Sequence, residues 1–359
     1  MTGRFVPPDS QERICLRAPN WVGDVVMATP TFRAVRQRRP DAHVTVVVHE
    51  RVEAVLRGTP WFDAVLTYRP SSRSLLGEFR RCARALKAGR QDLGLILPNS
   101  FSSALMFRMG GVARRVGYGR DLRSALLTDA VPRPSEGGRF KPTYMVGYYL
   151  GLCEAAGIEP AGRDMELPFN EADAAHADEI LRSQGVDPGR DLFLLHPGAG
   201  FGPSKRWPSE RFSRLAEHLA DCYGAQVAVV AGPSERRTVA RIVDGARAEV
   251  TDLMDRGVDL HLLKCVVARS KLLVTTDSGP RHYGVALGVP TVCVMGPTHP
   301  GYSTSEEPHD RVVRLDVDCG PCQKKRCPRD HRCMADITAE MVLEACAAAL
   351  SDAAGGGTS

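Results

Sequence analysis

Lys205 closes a glycine-rich stretch, His196-Pro197-Gly198-Ala199-Gly200-Phe201-Gly202-Pro203-Ser204-Lys205, that runs on into Arg206-Trp207-Pro208. The apolar run 192–195 before it reads as a buried strand, stopped by Pro197, which cannot continue a central ladder. A helix follows, with Phe212, Leu215, Ala216, Leu219 and Tyr223 on one face and Gly224 at its end. Glycines between a strand and a helix let backbone N–H groups approach an anion, and Lys205 adds a cation to that pocket. Taken alone, the stretch suits a phosphate site or a solvated surface loop.

Three other loops place polar side chains just past predicted strands. Trp21-Val22-Gly23-Asp24 follows residues 13–17, Gly232-Pro233-Ser234-Glu235 follows 226–231, and Asp277-Ser278-Gly279 with His282 follows 272–275. Asp24 reads as a helix N-cap or as a base, Asp277 as an N-cap or a ligand contact, and His282 as a packed ring or a contact. A fourth constellation is Cys319-x2-Cys322-x4-Cys327-x5-Cys333, with His331 inside it. Four thiols at this spacing could close a structural tetrahedral zinc site, and a metal would organise a short, polar, Pro-containing loop. Reduced thiols and disulfides remain open, and Lys324, Lys325, Arg326, Arg329 and Arg332 would either stabilise thiolates or face a membrane.

These loops need a scaffold of alternating strands and helices. Strands are predicted at 13–17, 44–48, 64–68, 93–97, 192–195, 226–231, 272–275 and 291–295. Helices fall between them, at 75–88, 100–109, 144–156, 171–183, from Ser234 as N-cap to Arg247, at 260–268 and at 338–350. The first helix starts at Pro30, with Thr29 as cap, or at Asp24, with Pro30 bending it. The pattern indicates parallel β-α-β units in an α/β fold, whose ligands gather at the carboxyl ends of strands. With 359 residues the chain is expected to form two domains, 1–165 and 166–359, joined near 157–168 and ending in a disordered tail at 353–359.

Composition narrows the function classes. A net charge of +5 and 25% charged residues are ordinary, but residues 69–141 hold fifteen Lys and Arg against five Asp and Glu. That local excess suggests an acidic partner. No aromatic-basic interleaving supports a nucleic-acid surface. No apolar run approaches a membrane span, and the first residues carry no apolar secretory region, so a cytoplasmic protein is expected. Seven of the eleven cysteines are dispersed, most of them in apolar surroundings, which fits a reducing compartment and small core residues.

The motifs together resemble glycosyltransferase family 9. The resemblance rests on Trp21-Val22-Gly23-Asp24, Pro197-Gly198-Ala199, Phe201 to Pro208, Gly232 to Glu235, Asp277-Ser278-Gly279 with His282, and Gly296-Pro297-Thr298. Pro98-Asn99-Ser100-Phe101-Ser102-Ser103-Ala104-Leu105 and Arg115-Val116-Gly117-Tyr118 resemble its lipopolysaccharide heptosyltransferase II subgroup. The resemblance implies a GT-B architecture, two Rossmann-like domains facing across a cleft, the first for acceptor and the second for nucleotide sugar. It implies an inverting transfer without a metal or other cofactor. The donor would be ADP-heptose and the acceptor the anionic lipid A inner core, met at the inner membrane surface. On these positions Asp24 would be the base and Lys205 the cation at the diphosphate. The N–H groups at Gly198, Ser278 and Gly279 would bind phosphate oxygens, Glu235 the ribose, and Asp277 and His282 the donor's diphosphate and sugar. Arg120 and Arg123 would meet acceptor phosphates and carboxylates. A departure is Tyr144, where family members often carry His. Rival readings are a family 9 transferase with another nucleotide sugar and a non-catalytic basic binding protein.

Overall fold

The computed structural model describes residues 11–70, 74–120, 122–137 and 139–355. The chain forms two compact units, divided between Met165 and Glu166. The first holds β1 (Arg13–Arg17), β2 (His43–His49), β3 (Ala64–Tyr68), β4 (Leu93–Ile96), β5 (Arg114–Tyr118) and β6 (Asp129–Val131). They lie in the order β3-β2-β1-β4-β5-β6, every pair parallel. Its helices are α1 (Val22–Met27), α2 (Thr29–Arg38), α3 (Glu50–Glu53), α4 (Leu75–Ala88), α5 (Phe101–Met109) and α6 (Met145–Ala156). A small antiparallel ribbon, β7 (Ser135–Glu136) with β8 (Arg139–Phe140), precedes α6.

The second unit repeats the plan. Its strands are β9 (Leu192–His196), β10 (Gln226–Val229), β11 (Val250–Asp252), β12 (Leu272–Thr276), β13 (Thr291–Val294) and β14 (Asp310–Val313). The order β11-β10-β9-β12-β13-β14 is again fully parallel. Its helices are α7 (Glu171–Ser183), α8 (Ser209–Tyr223), α9 (Arg236–Gly245), α10 (Leu262–Arg269), α11 (Gly279–Ala286), α12 (Arg332–Ala335) and α13 (Ala339–Gly355). This is the doubly wound order. In each unit the winding direction reverses between two central strands, β1 and β4 or β9 and β12, and a crevice opens beyond their carboxyl ends. Parallel strands covered on both faces carry continuous apolar runs, and all five residues of β9 are buried.

Both strands of the small ribbon escaped the sequence pattern, and so did four strands of the six-stranded sheets: β5, β6, β11 and β14. Three of these four are edge strands. An edge strand is covered less fully, so polar residues such as Asp129, Thr251 and Arg311 interrupt the apolar run. The start of the first helix resolves both ways: α1 begins at Val22, and α2 begins afresh with Pro30 in its first turn. Thr29 is not the cap, because its hydroxyl donates to the Val26 carbonyl (2.7 Å). Nor does Ser234 cap α9; a short 3-10 turn, Pro233–Glu235, comes first, and the helix ends at Gly245 rather than Arg247. α13 continues to Gly355, past the expected tail boundary, and the rest of the tail lies outside the described residues.

Burial explains the dispersed thiols. Cys15, Cys82, Cys153, Cys265, Cys293 and Cys346 are buried and only Cys222 is exposed. Burial pushes the Cys153, Cys293 and Cys346 thiols up to about 12, so they stay protonated core residues. Helix α11 lies very close to the sheet: a Cβ at Gly284 would stand 2.0 Å from Thr291 Oγ1. Replacing Gly284 by Ala is predicted to destabilise the second unit by about 1–3 kcal/mol through overpacking. Chemical denaturation should show a lowered midpoint, and an unchanged one would mean that α11 can lift from β13 without cost.

Candidate functional site

In the first unit the strand reversal gathers the ends of β1 and β4. Arg17, at the end of β1, is buried, and its guanidinium donates to the carbonyls of Ala18 (2.5 Å) and Val47 (3.2 Å) and to Asn20 Oδ1 (2.6 Å). Burial lowers it to about 10, still charged at neutral pH. Arg17 therefore fixes the loop that leads into α1. Asp24 sits in the first turn of α1, past the capping position held by Trp21, so it is not a cap. Its carboxylate hydrogen-bonds the buried Tyr149 hydroxyl from α6, and burial first, then Asp24, holds that phenol well above its ordinary value. Sequence reasoning missed Tyr149, because a tyrosine inside an apolar helix looks like packing.

Beside it, Tyr148 stacks on Tyr118, ring centroids 4.0 Å apart, and donates to Asn99 Oδ1 (3.1 Å). Arg123 is expected from the sequence to meet acceptor phosphates and carboxylates. It is instead fully buried, and its guanidinium donates to the Tyr118 carbonyl (2.8 Å), the Pro98 carbonyl and Asn99 Oδ1 (3.4 Å). It ties the ends of β4 and β5 together. Much of the basic excess is spent likewise: Arg108, Arg114 and Arg115 all donate to backbone carbonyls. Arg120 is half-buried and its charge acts on the Tyr148 hydroxyl.

The second unit converges more tightly. Thr276 Oγ1, at the end of β12, donates to the Gly198 carbonyl beyond β9 (2.5 Å). Gly198 must be glycine, since a Cβ there would lie 2.4 Å from His196 Cε1. The His196 ring faces the hydroxyls of Ser278 (3.3 Å) and Thr275 (3.4 Å). Lys205 Nζ donates to Asp277 Oδ2 (2.6 Å) and to the Asp277 carbonyl (2.8 Å), and stands 5.0 Å from the Phe201 ring centre. Asp277 is not an N-cap; Ser278 occupies that position of α11. The Asp277 carboxylate also accepts from Thr298 (2.5 Å) and Ser303 (3.1 Å), and Arg281 lies 3.8 Å away. Arg281 in turn makes a two-pronged pair with Asp310 (2.9 and 2.7 Å), itself held by Ser305 (2.8 Å).

Burial raises the Asp277 carboxyl, but Lys205 and Arg281 outweigh it and hold the group well below the ordinary carboxylate range. Removing one partner of such a buried pair typically costs about 3–5 kcal/mol. His282 is buried with Nδ1 unpartnered among the described residues, and burial with Arg281 beside it depresses the ring to about 4. Glu235 is buried after β10, where Oε2 accepts from the Ser234 hydroxyl (2.7 Å). Beside it Arg206, Arg236, Arg237 and Arg241 line an open depression of about 570 Å³. The structure thus brings Gly198, Lys205, Asp277, Ser278 and Gly279 to one strand reversal. It adds Thr298, Ser303, Arg281, Asp310 and His196, to none of which the sequence reading gave a role.

The cysteine loop matches one of the alternatives left open, free thiols. Among the described residues no three His, Cys, Asp or Glu side chains are set to hold a metal ion, and all eleven cysteines are free. Cys319, Cys322 and Cys327 are near enough to Cys333 to add to burial in pushing its thiol up to about 11. The loop's order comes from hydrogen bonds: Gln323 N donates to the Pro297 carbonyl (2.8 Å), and Ser204 donates through Oγ to the Lys324 carbonyl (2.6 Å). Among the described residues no helix is long and apolar enough to cross a membrane.

Comparison with known proteins agrees with this geometry. A family model described as glycosyltransferase family 9 (heptosyltransferase) matches residues 79–332. The chain is 28% identical to lipopolysaccharide heptosyltransferase 2 of Salmonella typhimurium, over 95% of this chain and 99% of that one. Among solved structures it is similar to ADP-heptose heptosyltransferase II of Escherichia coli, with 26% identity, TM-score 0.78 and coverage of 95% and 99%. A family 9 glycosyltransferase of Veillonella parvula superposes with TM-score 0.84 at 22% identity, covering 95% and 98%.

The two depressed histidines give a pH prediction. His196 and His282 are both lowered to about 4, below the ordinary 6.5, so the unfolded chain takes up protons first as pH falls. Their contribution to stability is complete above pH 6.5 and is lost toward pH 4, at up to about 1.4 kcal/mol per pH unit for each ring. The urea midpoint of the second unit should therefore fall between pH 7 and pH 5. A flat midpoint would show that water reaches both rings.

Proposed function

Because the chain belongs to glycosyltransferase family 9, we propose that it is a heptosyltransferase of lipopolysaccharide core assembly, moving L-glycero-D-manno-heptose from ADP-heptose to an anionic inner-core acceptor. The observation that carries this reading is the pairing of Lys205 with Asp277 at the strand reversal of the second unit. Two of the three ammonium N–H bonds are spent on Asp277. The third remains for a phosphate oxygen, so Asp277 aims the cation as well as neutralising it. The amides around Gly198, Ser278 and Gly279 supply further donors, and Glu235 suits the two ribose hydroxyls. His282, neutral at working pH, offers its unpartnered nitrogen to the donor.

The transfer is one displacement. The acceptor oxygen bonds to the anomeric carbon as the bond to the diphosphate oxygen breaks, so the configuration inverts. Asp24 accepts the hydroxyl proton, held in aim by Tyr149. Lys205 meets the charge that grows on the leaving diphosphate. Side chains and backbone amides of this chain fill each of these roles. On the acceptor side Arg120 is the candidate cation, while Arg123 acts by holding Pro98 and Asn99. An acceptor anchored in lipid implies work at the cytoplasmic face of the inner membrane.

Asp24→Asn is predicted to keep donor binding and reduce turnover by about 10²–10⁴, the usual worth of a general base. Near-normal turnover would leave Asp24 with only a structural role. Lys205→Ala should weaken ADP binding and slow transfer together, because it meets charge in both ground and transition states. A thermal-shift series with ADP-heptose, UDP-sugars and GDP-sugars tests the donor directly. Stabilisation by a UDP- or GDP-sugar in preference to ADP-heptose would overturn the heptose assignment.

A further inference from the structure

The cysteine loop's contact with the donor loop has a functional reading of its own. Ser204, the residue before Lys205, is buried, and all three of its polar groups are engaged by one segment. Its N–H donates to the Lys325 carbonyl (3.2 Å), its hydroxyl donates to the Lys324 carbonyl (2.6 Å), and its own carbonyl accepts from His331 Nε2 (2.7 Å). Gly202 lies against the same strip of backbone: its φ is +156°, and a Cβ there would stand 2.6 Å from the Lys325 carbonyl oxygen. The segment also reaches the other partner of the ion pair. Gln323 N donates to the Pro297 carbonyl, and the next residue, Thr298, donates to Asp277. Cys333 and Met334 sit where any Cβ at Gly296 would fall, at 3.0 and 2.6 Å.

We propose that the segment 323–334 positions Lys205, with His331 as its principal positioning residue. The inference rests on the reading of Lys205 as the diphosphate cation. A lysine on a glycine-rich loop would otherwise sample many directions, and its worth to a phosphate depends on where its backbone is held. The clamp works through backbone carbonyls and one imidazole. The Lys324 and Lys325 side chains stay exposed and take no part in these bonds. His331 itself adopts φ +61°, a left-handed conformation uncommon for a side-chain-bearing residue, and its carbonyl accepts the first N–H bonds of α12. That anchor holds the imidazole in place from behind. Because the acceptor is a carbonyl, Nε2 carries the proton.

The test is calorimetric titration of the full chain with ADP, using Lys205→Ala, His331→Ala, the double variant, His331→Gln and Gly202→Ala. His331→Ala should weaken ADP binding about five- to tenfold, the worth of one buried hydrogen bond. His331→Gln, which restores an N–H donor, should recover most of the loss. Gly202→Ala, which leaves His331 intact but pushes the Lys325 carbonyl away, should weaken binding similarly, and so carries the test if His331→Ala does not fold. The double variant should bind no worse than Lys205→Ala alone, since a clamp has nothing to hold once the ammonium is gone. Multiplying losses in the double variant would place the effect of His331 elsewhere and overturn the proposal. So would full ADP affinity in His331→Ala while Lys205→Ala is impaired; the donor-site reading would then stand. Unchanged affinity in Lys205→Ala would overturn both.

Discussion

A lysine and an aspartate withdrawn from water organise the second unit. Lys205 and Asp277 come from loops far apart in the chain and meet because β9 and β12 are neighbours at the point where the sheet changes winding direction. Desolvating two charges is costly, and their attraction offsets the cost only when the remaining lone pairs are satisfied. That requirement reaches outward. Asp277 needs the hydroxyls of Thr298 and Ser303. Arg281, close to Asp277 and completely buried, needs Asp310, and Asp310 needs Ser305. The chain beyond β13 therefore serves the site electrostatically even where it is remote from any ligand, and two cations balance two anions within the network.

The first unit solves the same geometric problem with different chemistry. Its strand order is identical, and its reversal also lies between two buried central strands. Where the second unit places opposed charges, the first places phenols. Tyr118, Tyr148 and Tyr149 stack and hydrogen-bond around Asn99 and Asp24. In the first unit a carboxylate, Asp24, takes a hydrogen bond from a neutral hydroxyl. A carboxylate beside an ammonium is suited to aiming that cation.

Much of this was legible from residue order alone, for physical reasons. Fully buried strands such as β9 and β12 announce themselves as unbroken apolar runs, and the glycines between strand and helix mark where backbone must approach closely. Three of the four edge strands, β6, β11 and β14, did not, because half-covered strands tolerate charge. Arg123 shows the sharpest limit: in sequence it is one more cation in a basic region, and only tertiary contact reveals it spent on carbonyls inside the fold. Tyr149 shows the converse, an apparent packing residue that holds Asp24. The basic cysteine loop looked like a surface for metal or membrane, yet its contacts to Ser204 are made by main-chain oxygens and His331, which composition does not register.

The three tryptophans are distributed unequally over this architecture. Trp61 is buried against Phe32, and Trp207 is buried edge-on to Phe212 with its indole N–H on the Ile337 carbonyl. Trp21 is 54% exposed and stands three positions before Asp24. The molecule thus carries its own optical contrast. Two indoles emit from apolar surroundings, while one emits from water beside the carboxylate of the first unit. The red edge of its intrinsic fluorescence belongs to that single indole.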